Sequence, residues 1–324
     1  MSKRDNSFDF IKGVLIILVV LGHALHTTYG NNCWNDKVYH AIYSFHMPLF
    51  IFVSGYFFKS SLRMNFMEIA THKFKRLLIP TIFFTSILLV IKFFANGATF
   101  ESLWDIYMVC RTYWYLICLF ILSIIYYLYI RANKTGKVTF VAIYIFLLLF
   151  YEKLPTFILI DCQVIRMTLI MGLGVFYGIH HAVINEYMAK KHIALIAIVI
   201  ILFEVSLVRL FYGINLLGYP PMIRILDGIS CSMIAFIMLK VLYSWAEKNL
   251  QFLCTHILRA GKNSMGIYLI HILFFRYISY NHITFDYFPD LISIILLFIT
   301  TYIISIWLTD VIRETLFKKY LLGE

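Results

Sequence analysis

Residues 4–26 read RDNSFDFIKGVLIILVVLGHALH, and this stretch decides the fold. Between Lys12 and His23 every residue is apolar or glycine. A membrane-spanning helix needs about 20 largely apolar residues, and positions 8–28 supply them. A cleavable leader would continue into small residues. This run continues into Asn31, Asn32 and Cys33 instead, so it is expected to remain as the first span.

The rest of the chain repeats the pattern. Of its 324 residues 61% are hydrophobic and 14% charged, where a soluble domain carries roughly a quarter charged residues. That balance excludes a water-soluble globule. The 23 Tyr and 30 Phe suit membrane interfaces and helix packing. Further apolar runs lie at about 41–58, 77–95, 113–131, 138–151, 165–181, 193–212, 225–243, 264–281 and 291–309. The fifth and sixth spans are short, with Pro155 in the loop between them. A membrane β-barrel would alternate apolar and polar residues, whereas these runs are apolar on every face. The expectation is an all-α, polytopic transmembrane helical bundle of about ten spans, forming a single domain over residues 1–324.

Lys and Arg set the orientation. With the N-terminus inside, 20 of the 28 basic residues fall on cytoplasmic segments, loop after loop. An even number of spans then places both termini in the cytoplasm, in an inner or plasma membrane. The formal charge of +11 is explained by this topology, so no nucleic-acid partner is expected. The six cysteines (33, 110, 118, 162, 231 and 254) include no CxxC pair and no zinc-like spacing, and no metal is expected.

Ionisable groups at mid-bilayer are costly and face a cavity or a partner. On the first helix Asp9, Lys12 and His23 share one stripe. At about 1.5 Å and 100° per residue, Lys12 and His23 lie nearly three full turns, or about 16 Å, apart. An imidazole there suits general-base work near neutral pH. The structural alternative is a buried histidine satisfied by a neighbour, with Lys12 snorkelling to the interface. His46 lies in SFHMPLFIFVSGYFF (44–58), where Pro48 permits a kink and Gly55 close packing. In GKNSMGIYLIH (261–271), Ser264, Tyr268 and His271 share a face, as a hydrogen-bonded structural stripe also would. In HKFKRLLIP (72–80), Lys73, Lys75 and Arg76 either hold phosphates of a soluble cosubstrate or serve topology alone. Glu204 with Arg209, and Arg224 with Asp227, read as structural charge pairs. No Walker loop, GxSxG, HExxH or Rossmann fingerprint is present.

Taken together, these segments resemble the acyltransferase-3 family of membrane-bound O-acyltransferases, and most closely its fucose-4-O-acetylase-like sugar acetylases. The first helix resembles the family's basic residue, ten residues, then histidine, here Lys12 and His23; the family often has Arg at the first of these positions. FHMPLFIFVSGYFF (45–58) resembles its second helix. Lys73 and Arg76 resemble its basic-x-x-basic loop, again with Lys at the first position. WYLICLF from Trp114 and the segment ending at His271 complete a series in family order, from residue 4 to about 275.

The resemblance implies a chemistry. Acetyl-CoA, the cytoplasmic acyl donor, is held through its phosphates by Lys73, Lys75 and Arg76. His23 acts as general base, with Lys12 and Asp9 on its stripe. His46, Trp114, Tyr268 and His271 are candidates to contact the acceptor, a sugar hydroxyl of an extracytoplasmic or lipid-linked glycan. Membrane lipids are the remaining partner. Direct transfer and an acyl-histidine intermediate both stay open. The rival reading is a glycan or lipid-linked-sugar transporter or flippase, against which stands the lack of an inverted repeat or a half-broken helix pair.

Overall fold

The computed structural model describes residues 5–97, 99, 103–150, 163–189, 201, 204, 221–283 and 288–323. Almost all of the expected span 193–212 lies outside these residues, as do Pro155 and Arg209. Every regular element among the described residues is helical. The helices are α1 (Ser7–Tyr29), α2 (Lys37–Phe57), α3 (Phe66–Lys73), α4 (Ile79–Ala95), α5 (Leu103–Cys110), α6 (Trp114–Arg131) and α7 (Lys134–Leu149). They continue as α8 (Val164–Ala189), α9 (Pro221–Asn249), α10 (Gln251–Lys262), α11 (Ser264–Tyr280), α12 (Asp290–Glu314) and α13 (Lys318–Leu321).

Seven helical segments among the described residues are long and apolar enough to cross a membrane: Ser7–Asn35, Lys37–Arg63, Phe66–Ala95, Leu103–Arg131, Val164–Ile184, Ile223–Asn249 and Asp290–Glu314. The chain is therefore a helical membrane protein. Two further expected spans are also helices, α7 with 16 residues and α11 with 17. At about 1.5 Å per residue each falls a few ångström short of a typical hydrocarbon core.

Local chemistry explains where several helices begin and end. Gly30, at φ 54°, stops α1 in a conformation that L side chains rarely adopt. Asn65 and Glu68 form a reciprocal capping box at the start of α3, with both bonds at 2.9 Å. The Asn133 side chain accepts from the Gly136 amide at 2.8 Å. This cap starts α7 at Lys134, earlier than the apolar run alone indicates. α8 runs on to Ala189, beyond the expected end at residue 181. Pro48 sits inside α2, removing one helical donor where a kink was expected to be permitted.

The chain divides into two compact units. The first comprises residues up to His46, Lys75–Tyr113 and the chain from Ile237 onward. Within it α1 packs against α10, α11 and α12, and α11 also packs on α4. Glycine lets α1 and α10 approach backbone to backbone. A Cβ on Gly261 would sit 1.7 Å from the Asp9 carbonyl oxygen, and one on Gly13 would sit 2.0 Å from that of Ile257. Phe10, Ala246 and Cys254 form an apolar cluster beside this contact, with Val14, Tyr243, Ile257 and Leu258 against it.

The turn between α10 and α11 is tied to α12. Asn263 donates to Asp310 at 2.6 Å, Arg259 Nε donates to the same carboxylate at 3.1 Å, and Arg313 donates to the Lys262 carbonyl at 2.8 Å. Arg313 also donates to the Asn263 side-chain oxygen. Asn263 is buried, so it needs these partners.

The second unit comprises Met47–Phe74 and Trp114–Phe236. There the latter part of α2 meets α8 through glycines. A Cβ on Gly55 would lie 2.4 Å from the Met171 carbonyl oxygen, one on Gly174 would lie 2.1 Å from that of Phe52, and one on Gly178 would lie 2.4 Å from that of Tyr56. The close packing expected at Gly55 is present, and Gly174 and Gly178 have the small-xxx-small spacing of membrane helix contacts. Tyrosine hydroxyls reinforce this unit: Tyr126 donates to the Thr168 carbonyl at 2.6 Å, and Tyr127 to that of Met64 at 3.0 Å. Asp227 is buried on α9, where the Cys231 thiol donates to it at 3.7 Å.

Candidate active site

The first unit brings His23, on α1, against His271, on α11. Their ring centroids are 5.2 Å apart, with the planes inclined by 56°. Phe275, one turn beyond His271, stacks on the other imidazole at 5.8 Å. Tyr268, one turn before His271, lies 5.7 Å from the His271 ring. Tyr113 donates to the Leu269 carbonyl at 2.9 Å and holds that stretch of α11 in place.

His46 is buried on α2, with Nδ1 2.7 Å from the Ile42 carbonyl and its ring 4.7 Å from Tyr43. His271 is fully buried, with Nδ1 2.8 Å from the Ile267 carbonyl. In each, the carbonyl accepts a hydrogen bond from Nδ1–H, so Nε2 carries the lone pair. His23 differs, because its side chain is only part-buried. Of the three histidines it is the one that is not fully buried. His26, His46, His271 and Arg276 are the charged or titratable groups within electrostatic reach of it.

Asp9 and Lys12 form a pair near the opposite end of α1. Lys12 Nζ lies 2.7 Å from Asp9 Oδ1, with the carboxylate side chain 3% exposed and the lysine 25%. Burial makes the pair the natural arrangement, because either charge alone would be costly there. Eleven residue steps along the helix, or about 16 Å, separate Lys12 from His23. The two features share a helix without touching.

Lys73 ends α3, with its ammonium 6.0 Å from the Phe58 ring centre. Lys75 and Arg76 follow on a π-helical stretch, Phe74–Leu78, and both are exposed. Such widened turns occur often at functional sites. Trp114 opens α6 in the second unit, with its ring 6.2 Å from Tyr115. Among the described residues no group of three His, Cys, Asp or Glu side chains is arranged to hold a metal ion.

Three groups near the site were not singled out by the sequence. Phe275 and Arg276 lie just past the GKNSMGIYLIH segment, and Tyr113 lies just before WYLICLF. The helical spacing from His271 to Phe275 carries a signal, since i and i+4 share a face.

A bundle of apolar helices enclosing paired imidazoles defines a membrane protein with a polar interior site. The particular kind follows from comparison: residues 5–310 match the family model described as an acyltransferase domain, and the chain belongs to this acyltransferase-3 family. Two curated relatives are each named nodulation protein NolL. The one from Sinorhizobium fredii is 41% identical over 123 residues, 36% of this chain and 34% of that protein. The one from Mesorhizobium japonicum is 36% identical over 128 residues, 37% of this chain and 34% of that protein. The matched region thus spans about a third of the length of these relatives. No solved structure matches the chain.

Proposed function

We propose that this protein is a membrane-bound O-acetyltransferase, moving an acetyl group from cytoplasmic acetyl-CoA to a sugar hydroxyl of an extracytoplasmic or lipid-linked glycan. The observation that carries the reading is His23: a part-exposed imidazole inside a membrane helix, set against a buried second histidine, in a chain of an acyltransferase family. His23 takes the proton of the acceptor hydroxyl. The oxygen attacks the thioester carbonyl, the carbon–sulfur bond breaks, and the departing thiolate recovers the proton from the imidazolium. The products are an O-acetyl ester and the CoA thiol. His46, Tyr268 and Trp114 remain candidates to contact the acceptor. Thioester turnover is the direct test: purified protein should transfer or hydrolyse the acetyl group of acetyl-CoA. Glycan movement with no acyl chemistry would identify a transporter instead.

The donor's phosphates are assigned to the basic run Lys73, Lys75 and Arg76. Two of these side chains are exposed, as binding a soluble anion requires. The Asp9–Lys12 pair holds the base of the first helix on the same side of the membrane. Replacing Lys73 and Arg76 together by Ala is expected to raise the KM for acetyl-CoA at least about tenfold. Stability should change little, because Arg76 is exposed and Lys73 part-exposed, and surface charges contribute about 0–1 kcal/mol each. Isothermal titration with acetyl-CoA checks this, and unchanged affinity would reduce both residues to topology markers.

The proposed topology has residues 59–76 and both chain ends in the cytoplasm of an inner or plasma membrane, residues 282–290 outside, and the whole chain acting as one acyltransferase domain. A cysteine introduced at exposed Lys318 should react with an impermeant maleimide only after cells are permeabilised. Labelling in intact cells would overturn the even number of spans.

A further inference from the structure

The histidine pair supports one inference that rests on the reading of His23 as the base. His271 is fully buried on α11. Its Nδ1 lies 2.8 Å from the Ile267 carbonyl, and a carbonyl oxygen only accepts, so Nδ1 carries the proton. Nε2 therefore presents a lone pair. That nitrogen is also buried, and among the described residues nothing donates to it. A buried acceptor left without a donor is destabilising, so the position needs a reason.

Three rings surround His271: Tyr268 from its own helix at 5.7 Å, Phe275 from its own helix at 6.2 Å, and His23 from α1 at 5.2 Å. Phe275 has no polar hydrogen to give. His23 is the group contributed by another helix, it has an N–H in either tautomer, and it carries the proposed chemistry. Catalytic hydrogen bonds are often long before substrate binds and tighten afterwards.

We propose that His271 is the positioning residue of His23. Its Nε2 accepts the N–H of the His23 imidazole. This fixes the His23 tautomer and turns the other His23 nitrogen, with its lone pair, to the open side where the acceptor hydroxyl arrives. The contact also favours the transition state over the ground state. When His23 takes the hydroxyl proton, its N–H toward His271 becomes a charge-assisted donor, roughly twice as strong as a neutral one. The other charged or titratable groups within electrostatic reach of His23 are His26 from α1, His46 from α2 and Arg276 from α11. None of these supplies an anion, so a neutral acceptor is the partner left to the imidazolium.

Two substitutions separate positioning from packing. His271→Gln keeps an acceptor near the Nε2 position, and His271→Leu keeps the bulk without one. Both lose the bond to the Ile267 carbonyl. In the Leu protein kcat should fall on the order of 10- to 100-fold, the scale of a misplaced catalytic group, with both KM values within about twofold. The Gln protein should recover most of that loss. Equal loss in both, or a Leu protein near the normal rate, would overturn the positioning role. A His23→Asn protein assayed alongside keeps the two ideas distinct. If it is inactive while His271→Leu is normal, His23 stands as base and the positioning role falls; if it is fully active, the reading of His23 falls first. If neither His271 variant folds, nitrogen NMR of histidine-labelled wild type decides. The proposal expects His271 protonated on Nδ1 with Nε2 hydrogen-bonded, and an Nε2-protonated His271 overturns it.

Discussion

Replacing His23 by Asn is expected to lower acyl transfer by a factor on the order of 100 to 10,000, the usual contribution of general acid–base catalysis. That corresponds to about 3–5 kcal/mol of barrier, at 1.36 kcal/mol per tenfold. Asn matches one edge of imidazole in size and hydrogen bonding but cannot hold and return a proton. His23 is part-exposed, so the smaller side chain costs less packing than at a fully buried position. Expression, thermal stability and acetyl-CoA affinity should therefore stay close to wild type, and the loss should fall on kcat. A folded His23→Asn protein transferring acetyl groups at a near-normal rate would remove His23 from the reaction and pass attention to His46 or His271.

The second large effect is expected on the fold. Gly261→Ala places a methyl group 1.7 Å from the Asp9 carbonyl oxygen, where real contacts are not shorter than about 3 Å. The obstacle is backbone, so no rotamer change relieves it, and α1 and α10 must separate. Overpacking of this kind typically costs 1–3 kcal/mol, occasionally more, and the upper end is expected here. The movement also disturbs Asp9 and its pair with Lys12. The thermal midpoint in detergent should drop by several degrees, far more than for Gly136→Ala on α7, where a Cβ would lie 3.0 Å from the Ala132 side chain. A Gly261→Ala protein as stable as wild type would show that the helices are less tightly apposed than described.

The helices were legible because a bilayer imposes one rule, about 20 apolar residues per crossing, and α1, α2, α12 and the continuous segments Phe66–Ala95 and Leu103–Arg131 obey it. Ends were less legible. α7 starts at an Asn133 cap, which hydropathy does not register, and α8 keeps its helical hydrogen bonding past residue 181 to Ala189. Among polar residues, His23 stood out because it interrupts an apolar helix. His271 was also a candidate, but its pairing with His23 was not legible, because the approach of α11 to α1 depends on packing between segments far apart in the chain. The same holds for Asn263, Arg259 and Arg313 converging with Asp310: each looks like an ordinary polar residue at a helix end. Gly13 and Gly261 read like any glycines in apolar helices until their carbonyl neighbours are known.

Two carbonyls on the helix that carries His271 are each shared between donors. In an α-helix the oxygen of residue 267 already accepts from the amide of residue 271, and that of residue 269 from the amide of residue 273. Here the His271 imidazole adds a second donor to the first, and the Tyr113 hydroxyl adds one to the other. An oxygen divided between two donors tilts away from the helix axis and loosens its hold on the amide. Two such carbonyls within one turn tie the His271 ring and the Tyr113 segment to the same stretch of the α11 backbone, so a change at either partner is felt at the depth of the imidazole pair.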